Sequence, residues 1–271
     1  MRHILLTGAG FSRNWGGWLA NEAFEYLLGS NYVDELLRNR LWDAKERKLG
    51  FEDILAELQA SYEARFSAQV EQDLRNLTSA TTVMFADMAN AYDQSNFQGP
   101  HLTTVTSVAS FLHRFDVIYT LNLDTLIEQK YTGKEERSPF LGCVRPGVRP
   151  AGEVLDIGHR RVPLSIPMAP EEFKIPIATQ PYMKLHGSFD WLNGREIMLI
   201  IGGNKTANIK KHPLLTWYHE NFRADLESEG ARLMIIGYSF NDAHINEAIT
   251  NAISKEKNLS IFIIDPLAWT Y

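Results

Sequence analysis

Six short apolar runs, each closing on glycine or a small polar residue, constrain this chain more than any other feature. They cover residues 2–7, 116–120, 182–186, 197–201, 232–236 and 259–264. Runs this short, bounded by turn residues, read as strands buried on both faces. Between them lie stretches of helical period at 19–28, 32–41, 51–66, 70–92, 101–111, 214–226 and 242–253. Phe51, Ile54, Leu55 and Leu58, for example, share one helix face. Strand alternating with helix is the pattern of a doubly wound α/β fold. The expected architecture is a single domain over 1–271, a Rossmann-like parallel sheet of about six strands.

Two stretches interrupt that alternation. Residues 14–98 hold no convincing strand and read as a helical insertion, serving either as a lid over the crevice or as an oligomer interface. Residues 132–181 contain eight of the eleven prolines, which argues against long helices. A small β-rich or loop-rich subdomain beside the sheet is expected there. Its arginines, Arg145, Arg149, Arg160 and Arg161, read as solvated or as phosphate contacts. The same two readings apply to Lys205, Lys210 and Lys211.

Composition excludes several classes. A formal net charge of −6 argues against direct nucleic-acid binding through a broad basic face. With one cysteine, Cys143, this chain forms no internal disulfide and no four-cysteine zinc site; Cys143 reads as a loop or core residue. No metal-ligating triad stands out, and no metal is expected. The first residues lack a signal-peptide apolar region, and no run approaches the ~20 apolar residues of a membrane span. A cytoplasmic protein without a membrane partner is the expectation. The final residues 267–271 include two aromatics, read either as packing on another chain or as leading into further polypeptide.

The carboxyl ends of parallel strands face one crevice, so residues far apart in sequence can meet there. The first strand ends in Gly8, Ala9, Gly10, Phe11 and Ser12. Glycines between strand and helix allow close backbone approach to phosphates, although a tight turn needs them equally. Arg13 stands where a dehydrogenase fingerprint would carry its third glycine. The second strand ends in Leu121, Asn122, Leu123 and Asp124; Asp124 reads as a site carboxylate or a helix cap. The third ends in His186 and Gly187, followed by Ser188. A later one ends in Gly237, Tyr238 and Ser239, with Asn241 or Asp242 capping the next helix. Asp265 closes the last strand, as a ribose or base acceptor or as a turn residue.

A serine hydrolase would carry a Gly-x-Ser-x-Gly elbow, which the sequence lacks. Cleavage of a nicotinamide N-glycosidic bond needs less. The leaving group is cationic, so no acid must protonate it, and the transition state is oxocarbenium-like. A histidine such as His186 can take a proton from a ribose hydroxyl. Asn122 can orient water or the sugar, and Asp124 can stabilise positive charge.

At these residues the chain resembles the sirtuin-like superfamily. Gly8-Ala-Gly10-Phe-Ser12 is similar to its phosphate loop, Thr120-Leu-Asn122-Leu-Asp124 to its Thr-Gln-Asn-Ile-Asp motif, His186-Gly187 to its catalytic pair, and Gly237-Tyr-Ser239 to its adenosine-side Gly-Thr-Ser. The resemblance implies NAD+ as substrate, bound by Gly8, Ala9, Gly10, Ser12, Asn122, Asp124, His186, Gly237, Ser239 and Asp265, with His186, Asn122 and Asp124 catalytic. Missing ribbon cysteines, Leu121 in place of glutamine and the 14–18 loop set it apart from the deacylases. It looks like the antiphage-defence branch, which hydrolyses NAD+ to nicotinamide and ADP-ribose. That likeness implies a homo-oligomer held inactive until an argonaute-like, helicase or phage-sensing partner or domain releases it. Two other readings stand beside it: an NAD-dependent deacylase or ADP-ribosyltransferase, and a non-catalytic nucleotide-binding assembly module.

Overall fold

A computed structural model describes residues 1–65, 67–94, 108–132, 139–157, 160–194, 196–255 and 258–265. Strand β1 (His3–Thr7) turns through the short helix α1 (Ala9–Ser12) into four helices. These are α2 (Ala20–Leu28), α3 (Glu35–Glu46), α4 (Phe51–Ala64) and α5 (Ala68–Gln94). Helix α6 (Val108–Leu112) precedes β2 (Val117–Thr120), α7 (Leu126–Lys130) and β3 (Cys143–Val144). A hairpin of β4 (Val148–Ile157) and β5 (Arg160–Pro167) leads to β6 (Gln180–Lys184), β7 (Gly187–Asn193) and β8 (Glu196–Leu199). The chain closes with α8 (Lys205–Lys210), α9 (Pro213–Leu226), β9 (Arg232–Ile236), α10 (Ala243–Ser254) and β10 (Ser260–Ile264). The helix expected over 101–111 lies mostly outside the described residues, as do residues 267–271. Among the described residues no helix is long and apolar enough to cross a membrane.

The central sheet has six parallel strands in the order β10-β9-β1-β2-β6-β3. The chain leaves β1 for β2 on one side and returns to β9 on the other, so β1 is a topological switch point. Register matters here. Thr7 pairs with Thr120 and Ile236, and Thr120 pairs with Lys184. The carboxyl ends of β9, β1, β2 and β6 are therefore level, and the turns that follow them stand side by side.

Alternation within each strand sorts the core into two layers. Ile4, Leu6, Val117, Tyr119, Met183, Leu233 and Ile235 face α9 and α10. Leu5, Ile118 and Tyr182 face the helices between β1 and β2. In that layer α5 buries Leu77, Ala80, Met84, Met88 and Tyr92 at helical spacing. Each fully buried leucine or isoleucine stabilises the fold by about 2 kcal/mol, and β1, β2 and β6 are buried along most of their length. Cys143 lies in β3, buried, with burial pushing its thiol well above the usual range.

The run at 197–201, expected as another parallel strand, takes a different place. As β8 it pairs antiparallel with β7 in a second sheet ordered β4-β5-β7-β8. The cause is local. Gly187 sits at φ +79, and a Cβ there would lie 2.2 Å from the Met198 carbonyl oxygen. Only glycine permits so sharp a turn against a neighbouring backbone. Ile200 then donates its N–H to the His186 carbonyl, leaving no room for a crossover helix. The sixth parallel strand is instead the two-residue β3, too short to be read from periodicity.

Candidate active site

The glycines at the strand ends serve each other. Gly10 donates its N–H to the Gly237 carbonyl at 3.0 Å, and Gly8 donates to the Ile236 carbonyl at 3.0 Å. A Cβ on Gly8 would come within 2.5 Å of the Gly237 oxygen, one on Gly10 within 2.7 Å of the Gly237 Cα, and one on Gly237 within 2.3 Å of the Phe11 nitrogen. Gly237 also has φ +66. The two turns beside the switch point are thus in backbone contact, and the N–H of Gly10, a residue expected in a phosphate loop, is committed to Gly237. Ala9 is exposed on the outer side of this turn.

Ser12 carries the next layer. It is 1% exposed, donates to Asp124 Oδ2 at 2.9 Å and accepts from Asn122 Nδ2 at 3.0 Å. The direction of this chain follows from chemistry. An ionised carboxylate only accepts, so the serine hydroxyl must donate to Asp124, and its oxygen is left to receive the amide N–H of Asn122. Asp124 Oδ1 accepts the Leu126 N–H at 3.0 Å, so the aspartate both shapes its own turn and joins Ser12. Thr7 and Thr120 bond side chain to side chain at 2.8 Å, and Thr120 accepts the Asn122 N–H at 3.1 Å. Tyr92 of α5 lies against Ser12 and Asp124, with its phenol held well above the usual range by burial and then by the Asp124 charge.

Behind this layer Lys184, fully buried, bonds the Asp124 carbonyl and pairs with Glu128 at 2.7 Å. Tyr182 donates to the same carboxylate at 3.1 Å. Burial raises the Glu128 carboxyl, opposed by the Lys184 charge. These bonds brace the turn that presents Asn122 and Asp124.

His186 closes the β6 end at 3% exposure. Its Nε2 lies 3.0 Å from His244 Nε2, and the His244 and His219 rings are 5.4 Å apart. His219 donates from Nε2 to the Leu185 carbonyl at 2.9 Å. All three imidazoles are held below their usual range, burial first: His186 well below, with the Lys205 charge next, and His219 at about 4. Lys205 is drawn in rather than solvated, bonding Asp242 at 2.7 Å and Glu52 at 3.1 Å. Asp242 stands at the N-cap of α10, yet its side chain makes no cap bond and takes Lys205 instead. His186, Asp242 and His244 bring donor atoms within 4.8 Å of one another, a grouping unforeseen when no metal was expected.

The other predicted residues are spread more widely. Ser239 is exposed in the turn after β9, and Asp265 is half-buried beyond the edge strand β10, two strands from β1. Ser188 turns away into the second sheet, bonding Asp190. Arg145 pairs with Asp190 at 3.6 Å, and Arg161 forms an exposed pair with Asp156. His244, His219 and Tyr92 were missed. His244 alone had a local signal, two residues after Asp242 in a strand-end turn.

These side chains stand at the carboxyl ends of parallel strands beside a switch point, the place where open α/β sheets bind ligands. No curated protein matches the chain. The family model of the SIR2-like domain matches residues 116–268, which span β2 to the strand-end Asp265 and include Asn122, Asp124, His186 and His244. That is more than half of the 271 residues, and the chain belongs to the SIR2-like domain family.

Proposed function

We propose that the protein is an NAD+ hydrolase, releasing nicotinamide and ADP-ribose. One observation carries the reading: the level ends of β1 and β2 join Ser12, Asn122 and Asp124 in one directed hydrogen-bond chain, with His186 on the next strand. SIR2-like domains are NAD-related, which supplies the substrate class.

The roles follow from the geometry. Because Ser12 fixes the amide face of Asn122, the Asn122 Oδ1 has a set direction and accepts a hydrogen bond that orients the attacking water. The neutral imidazole of His186 takes a proton from a ribose hydroxyl, as its depressed pKa permits at neutral pH. Nicotinamide leaves neutral with the glycosidic electron pair. The buried Asp124 carboxylate stabilises the positive charge that develops on the ribose. Water adds to the anomeric carbon and releases one proton to solvent, His186 returns the proton it took from the ribose hydroxyl, and ADP-ribose is complete. A buried, water-poor wall strengthens each of these electrostatic effects.

In this reading the enzyme is a cytoplasmic effector of antiphage defence. It is gated in a homo-oligomer by a regulatory partner, and NAD+ loss arrests the infected cell. The test is nicotinamide release followed by chromatography, without acyl peptide, at low and high protein concentration. Wild type should yield nicotinamide and ADP-ribose, and Asn122→Ala and His186→Ala should each lose at least ~100-fold. Full turnover in either variant would overturn the assignment. Release only in the presence of an acyl-lysine peptide or acceptor protein would replace hydrolysis with transfer.

A further inference from the structure

His186 and His244 belong to different elements, 58 residues apart, yet their Nε2 atoms meet at 3.0 Å. Both residues are buried, at 3% and 8% exposure. Asp242 offers a carboxylate oxygen within 4.8 Å of a ring nitrogen of each histidine. Two imidazole nitrogens and one carboxylate oxygen converging on one point are a donor set for a borderline divalent ion, not for Ca2+ or Mg2+, which favour oxygen. We propose that His186 Nε2, His244 Nε2 and the Asp242 carboxylate form a binding site for one transition-metal ion of the Zn2+ or Co2+ type.

The two nitrogens already stand near ligand spacing, and the Asp242 oxygen closes in from within 4.8 Å as it leaves Lys205. An ion with bonds of about 2.0–2.1 Å in tetrahedral array sets its nitrogen ligands roughly 3.3 Å apart, so the rings separate by only a few tenths of an ångström. The single proton between the two Nε2 atoms moves to an outer ring nitrogen through solvent, with no net release. A water completes the coordination. Lys205 is the competing cation, since its ammonium lies on Asp242 at 2.7 Å. It also holds Glu52 at 3.1 Å and retains that partner when the metal arrives. Metal binding stands apart from the proposed hydrolysis. Its consequence rests on that reading: a His186 Nε2 held by the metal cannot exchange its His244 partner for the ribose hydroxyl, so occupancy switches the enzyme off.

The experiment titrates the full chain with Co2+, reading the visible d–d absorption, and with Zn2+ by calorimetry. One ion per chain is expected. His244→Ala and Asp242→Asn should each weaken binding about ten-fold or more. Lys205→Met should tighten it, because Asp242 is freed and a nearby positive charge removed. Circular dichroism confirms folding of each variant, and Asp242→Asn removes no helix-cap bond. Absence of a Co2+ band and of Zn2+ heat in wild type overturns the site. Binding unchanged by both the His244 and Asp242 substitutions overturns it too, since the ion then sits elsewhere. Nicotinamide release, inhibited by Zn2+ and restored by chelator, is the second arm. A chain that binds Co2+ here and hydrolyses nothing keeps the site and loses the hydrolase.

Discussion

Ser12 shows how much one hydroxyl decides. It satisfies Asp124 and orients Asn122 at once, so Ser12→Ala removes two buried bonds with one atom. The stability loss should be about 1–3 kcal/mol, the cost of leaving buried groups unpaired, measured by urea unfolding. On the proposed hydrolysis, the loss in nicotinamide release should be larger, roughly 10- to 100-fold, because a misdirected amide spoils orientation. Equal turnover would mean that the Asn122 direction is set by something other than Ser12. Glycines offer a sharper comparison. Gly237 and Gly230 have nearly the same φ, +66 and +64, but a Cβ meets the Phe11 nitrogen at 2.3 Å in the first and open space in the second. Gly230→Ala should cost only the left-handed strain, about 1–2 kcal/mol. Gly237→Ala adds a backbone clash and should cost at least ~2 kcal/mol more. Matching midpoints in denaturant would refute the close approach of the two turns.

At the scale of elements, the turn between β2 and α7 is held from beneath by a buried ion pair. Lys184→Met strips Glu128 of its counter-charge and frees the Asp124 carbonyl. A loss of about 3–5 kcal/mol is expected, as for breaking a buried pair. Lys184→Met combined with Glu128→Leu should recover much of it, since no buried charge then stands alone. Hydrogen exchange would locate the single variant's loss in residues 121–130; a loss confined to β9 and α10 would contradict this role. The β6–β7 turn is the other decisive element. It ends the parallel strand on His186 and diverts the chain into the second sheet, so the histidine stays at the crevice while the backbone leaves it.

Across the whole molecule, three buried neutral histidines couple folding to pH. His219 titrates near 4 in the fold against about 6.5 unfolded. The unfolded chain therefore binds the extra proton first as pH falls. Stability contributed by His219 is whole above pH ~6.5 and declines between there and pH ~4, by about 3 kcal/mol in all. His186 and His244 shift the same way and add to the slope. Urea midpoints with chelator present should fall steadily from pH 7 to 5, and His219→Gln should flatten part of that fall. A midpoint that holds constant over this range would contradict the burial of these rings.

What the sequence determined by itself was local. Apolar runs of strand length, the turn residues closing them and the helical stripe of 51–58 are read within a few neighbours, and the parallel sheet followed from their alternation. So did the strand ends bearing Ser12, Asn122, Asp124 and His186. The tertiary structure decided what depends on register and on meetings through space. Because β9, β1, β2 and β6 end level, Ser12 could reach across 110 residues to Asn122, and Gly237 could press against Gly10. Residues 197–201 have the same apolar character as a parallel strand, and only the turn at Gly187 made them antiparallel. Lys205 reads as one of several loop lysines until Glu52 and Asp242 arrive beside it. His244 looks like an ordinary helix residue until the sheet carries it to His186. Local pattern reports how each segment prefers to bury its face, whereas the pairing of polar side chains depends on where the assembled sheet delivers them.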